Sequence, residues 1–308
     1  MPCGRLKRIW SSEDSPETPS EAIVKSSRRN ATAILVLLLL CLCSPLLYYV
    51  GRPLPIELRK EIYDGVVYYR RVHFSPYPMI AHIVTVDTNA ENLSFLVTPG
   101  DKDESLPLRA RTTSKFLREF NVQIAINGDG FTPWNSSGPL FYYPHSGDRV
   151  KPNGYAASKG DVYSTIRKNP TLFISKDNKI SFSKPSKVYN AISGDRWLVR
   201  NGKPVVGLDD VTPSPRTAVG IDDGGEKLII IVVDGRQPLY SSGATLKELA
   251  NYLVYYGAEN AINLDGGGSS TLVFEGFLGT SNVVNSPIQG GIPGRERPVG
   301  NHLGIYVK

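Results

Sequence analysis

KLIIIVVDGRQPLYSSGATLKELANYLVYYGAENAINLDGGGSST, residues 227–271, carries two strand signals with a helix signal between them. Residues 228–233 are a continuous apolar run rich in β-branched side chains, which suits a strand buried on both faces. The run stops at Asp234, Gly235 and Arg236. Thr245 and Glu248 then form a T-x-x-E capping box, so a helix starts at Thr245. Leu246, Leu249, Ala250, Leu253 and Val254 share one face of that helix, and Gly257 is placed to end it. A second strand, residues 261–264, breaks at Asp265 and three glycines. Strand, helix and strand in this order read as a βαβ unit, which predicts two parallel strands. Asp234 and Asp265 then lie at the same carboxyl edge of the sheet, where open α/β sheets hold their ligands.

The same signature occurs earlier. Residues 116–120 read as the end of a helix and residues 122–126 as a strand that breaks into Asn127-Gly128-Asp129-Gly130. Residues 125–130 spell AINGDG and residues 261–266 spell AINLDG. Either this is an echo of turn chemistry, since Asn and Asp are good turn formers, or two strands deliver Asn and Asp to one cleft.

Further strands are predicted at residues 66–72, 80–86, 93–97, 171–175, 179–182, 196–200, 204–206 and 302–307. Asn201-Gly202 is a strong hairpin signal between two of them. Residues 128–170 are rich in Gly, Pro, Asn, Ser and Tyr without periodicity, the mark of a functional loop or lid. The expected fold class is α+β: one domain over residues 65–308, with a mixed, partly parallel sheet and few helices.

Residues 31–50, ATAILVLLLLCLCSPLLYYV, contain no charge. Such a helix is about 30 Å long, the thickness of a bilayer core. Lys25, Arg28 and Arg29 precede it, so the positive-inside rule keeps residues 1–30 in the cytoplasm as a leader. A cleaved signal peptide is the rival reading, but the polar leader is long and no A-x-A-like cleavage site follows. The expectation is a single-pass signal anchor, a linker over residues 51–64, and an extracytoplasmic (periplasmic or extracellular) domain. The three cysteines are Cys3, Cys41 and Cys43, so that domain has no catalytic thiol and no disulfide. A formal net charge of +6 without a concentrated basic patch argues against a nucleic-acid partner. His73, His82, His145 and His302 show no metal-ligand spacing. The sequence leaves the oligomeric state open.

PRTAVG (215–220), VDGR (233–236), LKELA (246–250), NLDGGGSST (263–271), VVN (283–285) and ERPVGN (296–301) occur in this order, with Ser193-Gly194 ahead of the hairpin. The ordered set resembles the phosphodiester glycosidase family, whose members include an enzyme that removes N-acetylglucosamine from a phosphodiester. The resemblance covers roughly residues 65–308 and departs at the first loop, Asn127 to Phe131. It implies a glycosidase acting on a carbohydrate phosphodiester.

That chemistry places demands on the residues. Cleaving the anomeric C–O bond expels a phosphate monoester, already a good leaving group, so anion binding and a carboxylate near the oxocarbenium-like centre matter most. Arg216, Arg236 and Arg297 are candidate phosphate clamps, because guanidinium suits bidentate contact with phosphate. The Gly266-Gly267-Gly268 turn offers backbone N–H donors as an anion nest, or serves only as a tight turn. Asp265 and Asp129 are candidates for nucleophile, base or sugar-hydroxyl ligand. Asp234 is a third catalytic candidate unless it only caps the loop after its strand. Asn127, Asn263 and Ser269 are candidate sugar ligands.

No resident cofactor is implied for that reaction. A rival function is a metal-dependent phosphodiesterase with Asp129, Asp234 and Asp265 holding Mg²⁺ or Ca²⁺. A serine hydrolase through Ser269 or Ser270 is weaker, since G-x-S-x-G is absent. The non-enzyme rival is an envelope glycan-binding module that stacks sugars on Phe131, Trp134, Phe141, Tyr142, Tyr143 and Tyr155.

Overall fold

The apolar run near residue 230 forms the strand Lys227–Val233, and the alternation of its side chains explains its composition. Leu228, Ile230 and Val232 enter one core, while Ile229, Ile231 and Val233 enter another on the opposite face. A fully buried aliphatic side chain contributes about 1.5–3 kcal/mol, so a strand packed on both faces excludes polar residues until it ends at Asp234.

The computed structural model describes residues 19–138, 140–166 and 168–307. It divides into one unit up to Arg52 and another from Pro53. The first unit is a helix, α1, Pro19–Gly51, which starts well before the uncharged run. Its stretch Ser27–Ser44 is long and apolar enough to cross a membrane and is not buried against protein. Residues 1–18 of the expected leader lie outside the described residues.

In the second unit an eight-stranded sheet runs in the order Leu58–Tyr63, Val66–His73, Met79–Asp87, Lys227–Val233, Arg216–Ile221, Asn260–Asn263, Arg196–Arg200, Lys203–Pro204. A five-stranded sheet has the order Ser281–Val283, Leu272–Glu275, Ile124–Asn127, His302–Tyr306, Ser94–Val97. Valines, isoleucines and leucines from the facing sides of these two sheets make the main core, with Val84, Val219 and Ile230 from the first and Ile124, Ile126 and Leu303 from the second. Helix α2, Thr113–Phe120, covers the outer face of the second sheet through Phe116 and Leu117. Helix α3, Leu246–Tyr255, covers the outer face of the first through Leu246, Leu249 and Leu253. The layers are therefore helix, sheet, sheet, helix. A third sheet, also of five strands, is built around Tyr155–Ser158, Asn190–Ser193 and Thr171–Ile174.

The α+β class with few helices is as expected, but the parallel pairing does not form. Lys227–Val233 and Asn260–Asn263 point the same way, yet Arg216–Ile221 lies between them and pairs antiparallel with both. The crossover through α3 spans that intervening strand. A sequence pattern reports direction and order, not how many strands are interposed. Every strand ladder among the described residues is antiparallel. The carboxyl ends of the two strands still reach the same edge.

The capping box forms as its spacing requires: Glu248 N–H donates to Thr245 Oγ1 (3.1 Å), and Thr245 N–H donates to Glu248 Oε2 (2.8 Å). The Asn201-Gly202 hairpin forms with φ of +51° and +67°, the signs its turn needs. Two expectations are corrected. Residues 58–63, read as linker, are a strand that pairs with Val66–His73. Residues 128–170, read as loop, hold six short strands; their length of two to five residues hides any periodicity.

Candidate active site

Two strands from different sheets end side by side, and their AIN motifs are bonded to each other. Asp265 N–H donates to the Gly128 carbonyl (3.0 Å), and Asn127 Nδ2 donates to the Asp265 carbonyl (2.7 Å). Asn127 Oδ1 accepts from Thr217 Oγ1 (2.8 Å) and from Thr271 N–H (3.1 Å). Asn127 is fully buried, its amide joins the two sheets, and it does not line the adjoining cleft.

The junction opens into a cleft of ≈ 490 Å³. Of the expected residues, Asp129, Asp265, Arg216, Arg236, Arg297, Asn263, Gly266 and Gly267 line it. Asp129 follows its strand, with its N–H bonded to Asn301 Oδ1 (2.8 Å) and its Oδ2 accepting from Gly154 N–H (2.6 Å). Burial pushes its pKa up to about 8 against the pull of that N–H, and the nearby Asp265 charge adds to the rise. Asp265 Oδ2 accepts from Ser269 Oγ (2.6 Å) and its Oδ1 from Gly266 N–H (3.0 Å). Burial raises the Asp265 pKa as well, while Ser269, Arg297 and Gly266 oppose the shift.

Three arginines line the same cleft. Arg297 donates through Nε to Gln289 Oε1 (2.6 Å) and through Nη1 to Ser269 Oγ (3.2 Å), with its guanidinium 5.1 Å from the Trp134 ring centroid. Arg216 is anchored on the carbonyls of Ala244 (3.1 Å) and Thr212 (3.2 Å). The Arg236 charge bears on both others, lowering their pKa behind the larger effect of burial. Arg236 itself holds a φ of +56°, a strained conformation for a residue with a side chain.

The glycine turn is spaced for these arginines. At Gly267 φ is +64°, and a Cβ would stand 3.0 Å from Arg236 Nη1. At Gly268 a Cβ would stand 2.6 Å from Arg297 Nη2 and 2.8 Å from Gln289 Oε1. The nest of backbone donors is not assembled as expected. Gly266 N–H is taken by Asp265 and Gly267 N–H by the Pro215 carbonyl (2.9 Å). Gly268 lies beneath Arg297 instead of on the cleft wall.

Two further expectations are corrected. Ser269 is fully buried behind Asp265, so it orients that carboxylate and does not face the cleft. Asp234 is 1% exposed and lies outside the cleft. Its carboxylate accepts from Ser286 N–H (2.6 Å) and Asn285 Nδ2 (3.0 Å), beside His82 Nε2 at 3.3 Å. The strand edge was legible, but not that residues 285–286 cover it. Asp129, Asp234 and Asp265 therefore do not make the cation site considered above. Among the described residues no three His, Cys, Asp or Glu side chains converge as a metal site. Of the aromatics considered for stacking, Phe131 and Trp134 line the cleft and Phe141, Tyr142, Tyr143 and Tyr155 do not.

Sequence reasoning missed Asp195, which also lines the cleft and accepts from Asn263 Nδ2 (2.8 Å) and Arg196 Nε (2.8 Å). Its signal was present. Residues 191–195 spell AISGD, beside AINGD at 125–129 and AINLD at 261–265. Each is the end of a short buried strand, and each strand belongs to a different one of the three large sheets. Each of these three sheets thus brings one carboxyl group to the cleft.

The sequence profile described as "Phosphodiester glycosidase" matches residues 120–306. Human N-acetylglucosamine-1-phosphodiester alpha-N-acetylglucosaminidase is 28% identical over 229 residues, covering 67% of this chain and 42% of the human protein. The chain thus spans about two fifths of that relative's length. The fold resembles the zebrafish catalytic domain of the same name, auto-inhibited by its pro-peptide, with a TM-score of 0.56 at 22% identity over 83% of this chain and 85% of that one. A Synechocystis protein has a TM-score of 0.52 at 14% identity, over 82% of this chain and 64% of that one. With the profile matching more than half of its residues, the chain belongs to the phosphodiester glycosidase family.

Proposed function

We propose that the chain is a hydrolase that cleaves the glycosidic bond of a sugar-1-phosphodiester on an extracytoplasmic glycoconjugate. The observation that carries this is the make-up of the cleft: Arg216, Arg236 and Arg297 line the same space as Asp129, Asp195 and Asp265, with Arg236 and Arg297 packed on the glycine turn. Burial and the Arg236 charge both disfavour the charged forms of Arg216 and Arg297, and an anion bound beside them offsets that cost. A phosphodiester supplies that anion and carries a sugar beside it.

In this reading the phosphate oxygens lie on the arginines and the sugar lies against the carboxyl groups. Asp265, held by Ser269 and Gly266, faces the anomeric carbon as nucleophile or as base toward water. Asp129 keeps its proton at neutral pH and donates it to the departing phosphate oxygen or to a ring hydroxyl. Asn263 Oδ1 is buried and takes no hydrogen bond from the protein, which suits an acceptor for a sugar hydroxyl. Asp195 lies beside it as a second acceptor. The name of the human relative makes α-linked N-acetylglucosamine the sugar to test first. Helix α1 serves as a single-pass signal anchor with residues 1–30 in the cytoplasm and the domain from Pro53 outside.

The test is mass analysis of the products from N-acetylglucosamine-1-phosphodiesters. Free sugar plus phosphomonoester supports the reading. Sugar phosphate plus alcohol overturns it.

A further inference from the structure

Helix α3 and its C-cap carry three tyrosines where an outward-facing helix normally carries charge. Tyr252, Tyr255 and Tyr256 are spaced i, i+3, i+4 and so share one face. Across from them the strand Val66–His73 turns Tyr69, Arg71 and His73 to the same side, two residues apart, as strand geometry requires. The two periodicities meet in a cavity of ≈ 480 Å³, lined by Glu57, Arg71, His73, Asn251, Tyr252, Tyr255 and Tyr256. It shares no lining residue with the catalytic cleft.

The cavity is preorganised. Arg71 donates through Nε to Tyr256 Oη (3.0 Å) and through Nη1 to Glu57 Oε2 (3.4 Å). The Tyr252 hydroxyl is hydrogen-bonded to His73 Nε2. Tyr255 and Tyr256 meet edge to face at 5.2 Å, and Tyr255 remains 76% exposed. Burial pushes the Tyr252 hydroxyl up to about 12, so it stays a neutral donor and acceptor at every physiological pH. The result is an exposed aromatic ring beside a planar guanidinium, a carboxylate and a carboxamide.

We propose that this cavity is a second, non-catalytic carbohydrate-binding site that holds a neutral sugar ring of a glycan chain. A flat aromatic face packs against the C–H face of a pyranose at low entropic cost, because a tyrosine has only two side-chain torsions. The Arg71–Glu57 pair and Asn251 present hydrogen-bond donors and acceptors to the same cavity as the exposed ring. The charge pairing inside the cavity leaves little net charge for an anionic ligand, which favours a neutral sugar. Such a site would retain a long glycan on the protein without entering the reaction.

The test is calorimetric titration of the full chain in detergent with three neutral trisaccharides: chitotriose, maltotriose and cellotriose. At least one is expected to bind. That affinity should fall at least tenfold in Tyr255→Ala and be kept within twofold in Tyr255→Phe, which retains the ring. Turnover of a short sugar-1-phosphodiester should be unchanged in both variants. Binding of none of the three, or equal binding by Tyr255→Ala and the parent, overturns the proposal. So does displacement of the sugar from the Tyr255 site by a proline-rich decapeptide with higher affinity. A parent protein that binds the trisaccharide through Tyr255 but hydrolyses no phosphodiester leaves this inference standing and removes the catalytic reading.

Discussion

Asp129 governs how the cleft responds to pH. Its folded pKa of about 8 lies far above the ordinary carboxyl value of 3.8. Between those two values the folded protein keeps a proton that the unfolded chain has lost, so stability falls as pH rises. The slope is at most about 1.4 kcal/mol per pH unit. Asp129→Asn removes the buried charge, so its melting temperature relative to the parent should climb steadily from pH 4 to pH 8. Thermal melts across that range measure it, and a constant difference would mean that Asp129 does not hold the proton. Activity should fall in the same direction, with kcat/KM of the parent declining as pH passes about 8 and Asp129 ionises. Asp265→Asn keeps shape but removes charge, and should lower kcat at least a hundredfold while KM stays within a few-fold. Arg216→Lys loses the planar fork anchored on Ala244 and Thr212, and should act chiefly on KM. Steady-state kinetics on folded variants separate the two effects.

At the scale of elements, the site is a set of strand ends, and glycines decide how closely they approach. A Cβ at Gly194 would stand 2.1 Å from the Asn263 carbonyl oxygen, and backbone on both sides has no room to yield. Gly194→Ala should therefore destabilise the fold by more than about 2 kcal/mol, read from urea melts. Gly268→Ala meets only the Arg297 and Gln289 side chains, so it should raise KM severalfold with a small change in melting temperature. What was legible in the sequence follows the same division. The strand 227–233, the capping box at Thr245 and the hairpin at Asn201-Gly202 depend on local patterning and formed as read. The strand interposed between 227–233 and 260–263, and the cover that residues 285–286 place over Asp234, are long-range pairings that no local pattern encodes. Asp195 fell between the two cases. Its AISGD signal was local, but it carried weight only once the AINGD and AINLD ends were seen to converge.

For the whole molecule, the cores from Pro53 onward are apolar side chains between sheets and helices, and no cysteine lies beyond Cys43. Reductant should leave the melting transition of the full chain unchanged, and a drop of several degrees would reveal a covalent dependence the sequence does not contain. The three large sheets bring one carboxyl group each to a cleft that three arginines also line, an arrangement suited to breaking the bond between C1 of a sugar and the ester oxygen. Free sugar and phosphomonoester would also result from attack at phosphorus with loss of the sugar oxygen, so product identity alone does not locate the broken bond. Hydrolysis of an N-acetylglucosamine-1-phosphodiester in ¹⁸O-labelled water, with mass analysis of both products before the sugar exchanges, does locate it. The account predicts the label on the C1 hydroxyl of the sugar and none on the phosphate. Label on the phosphate would mean cleavage of the P–O bond, and would contradict the role given to Asp265 at the anomeric carbon.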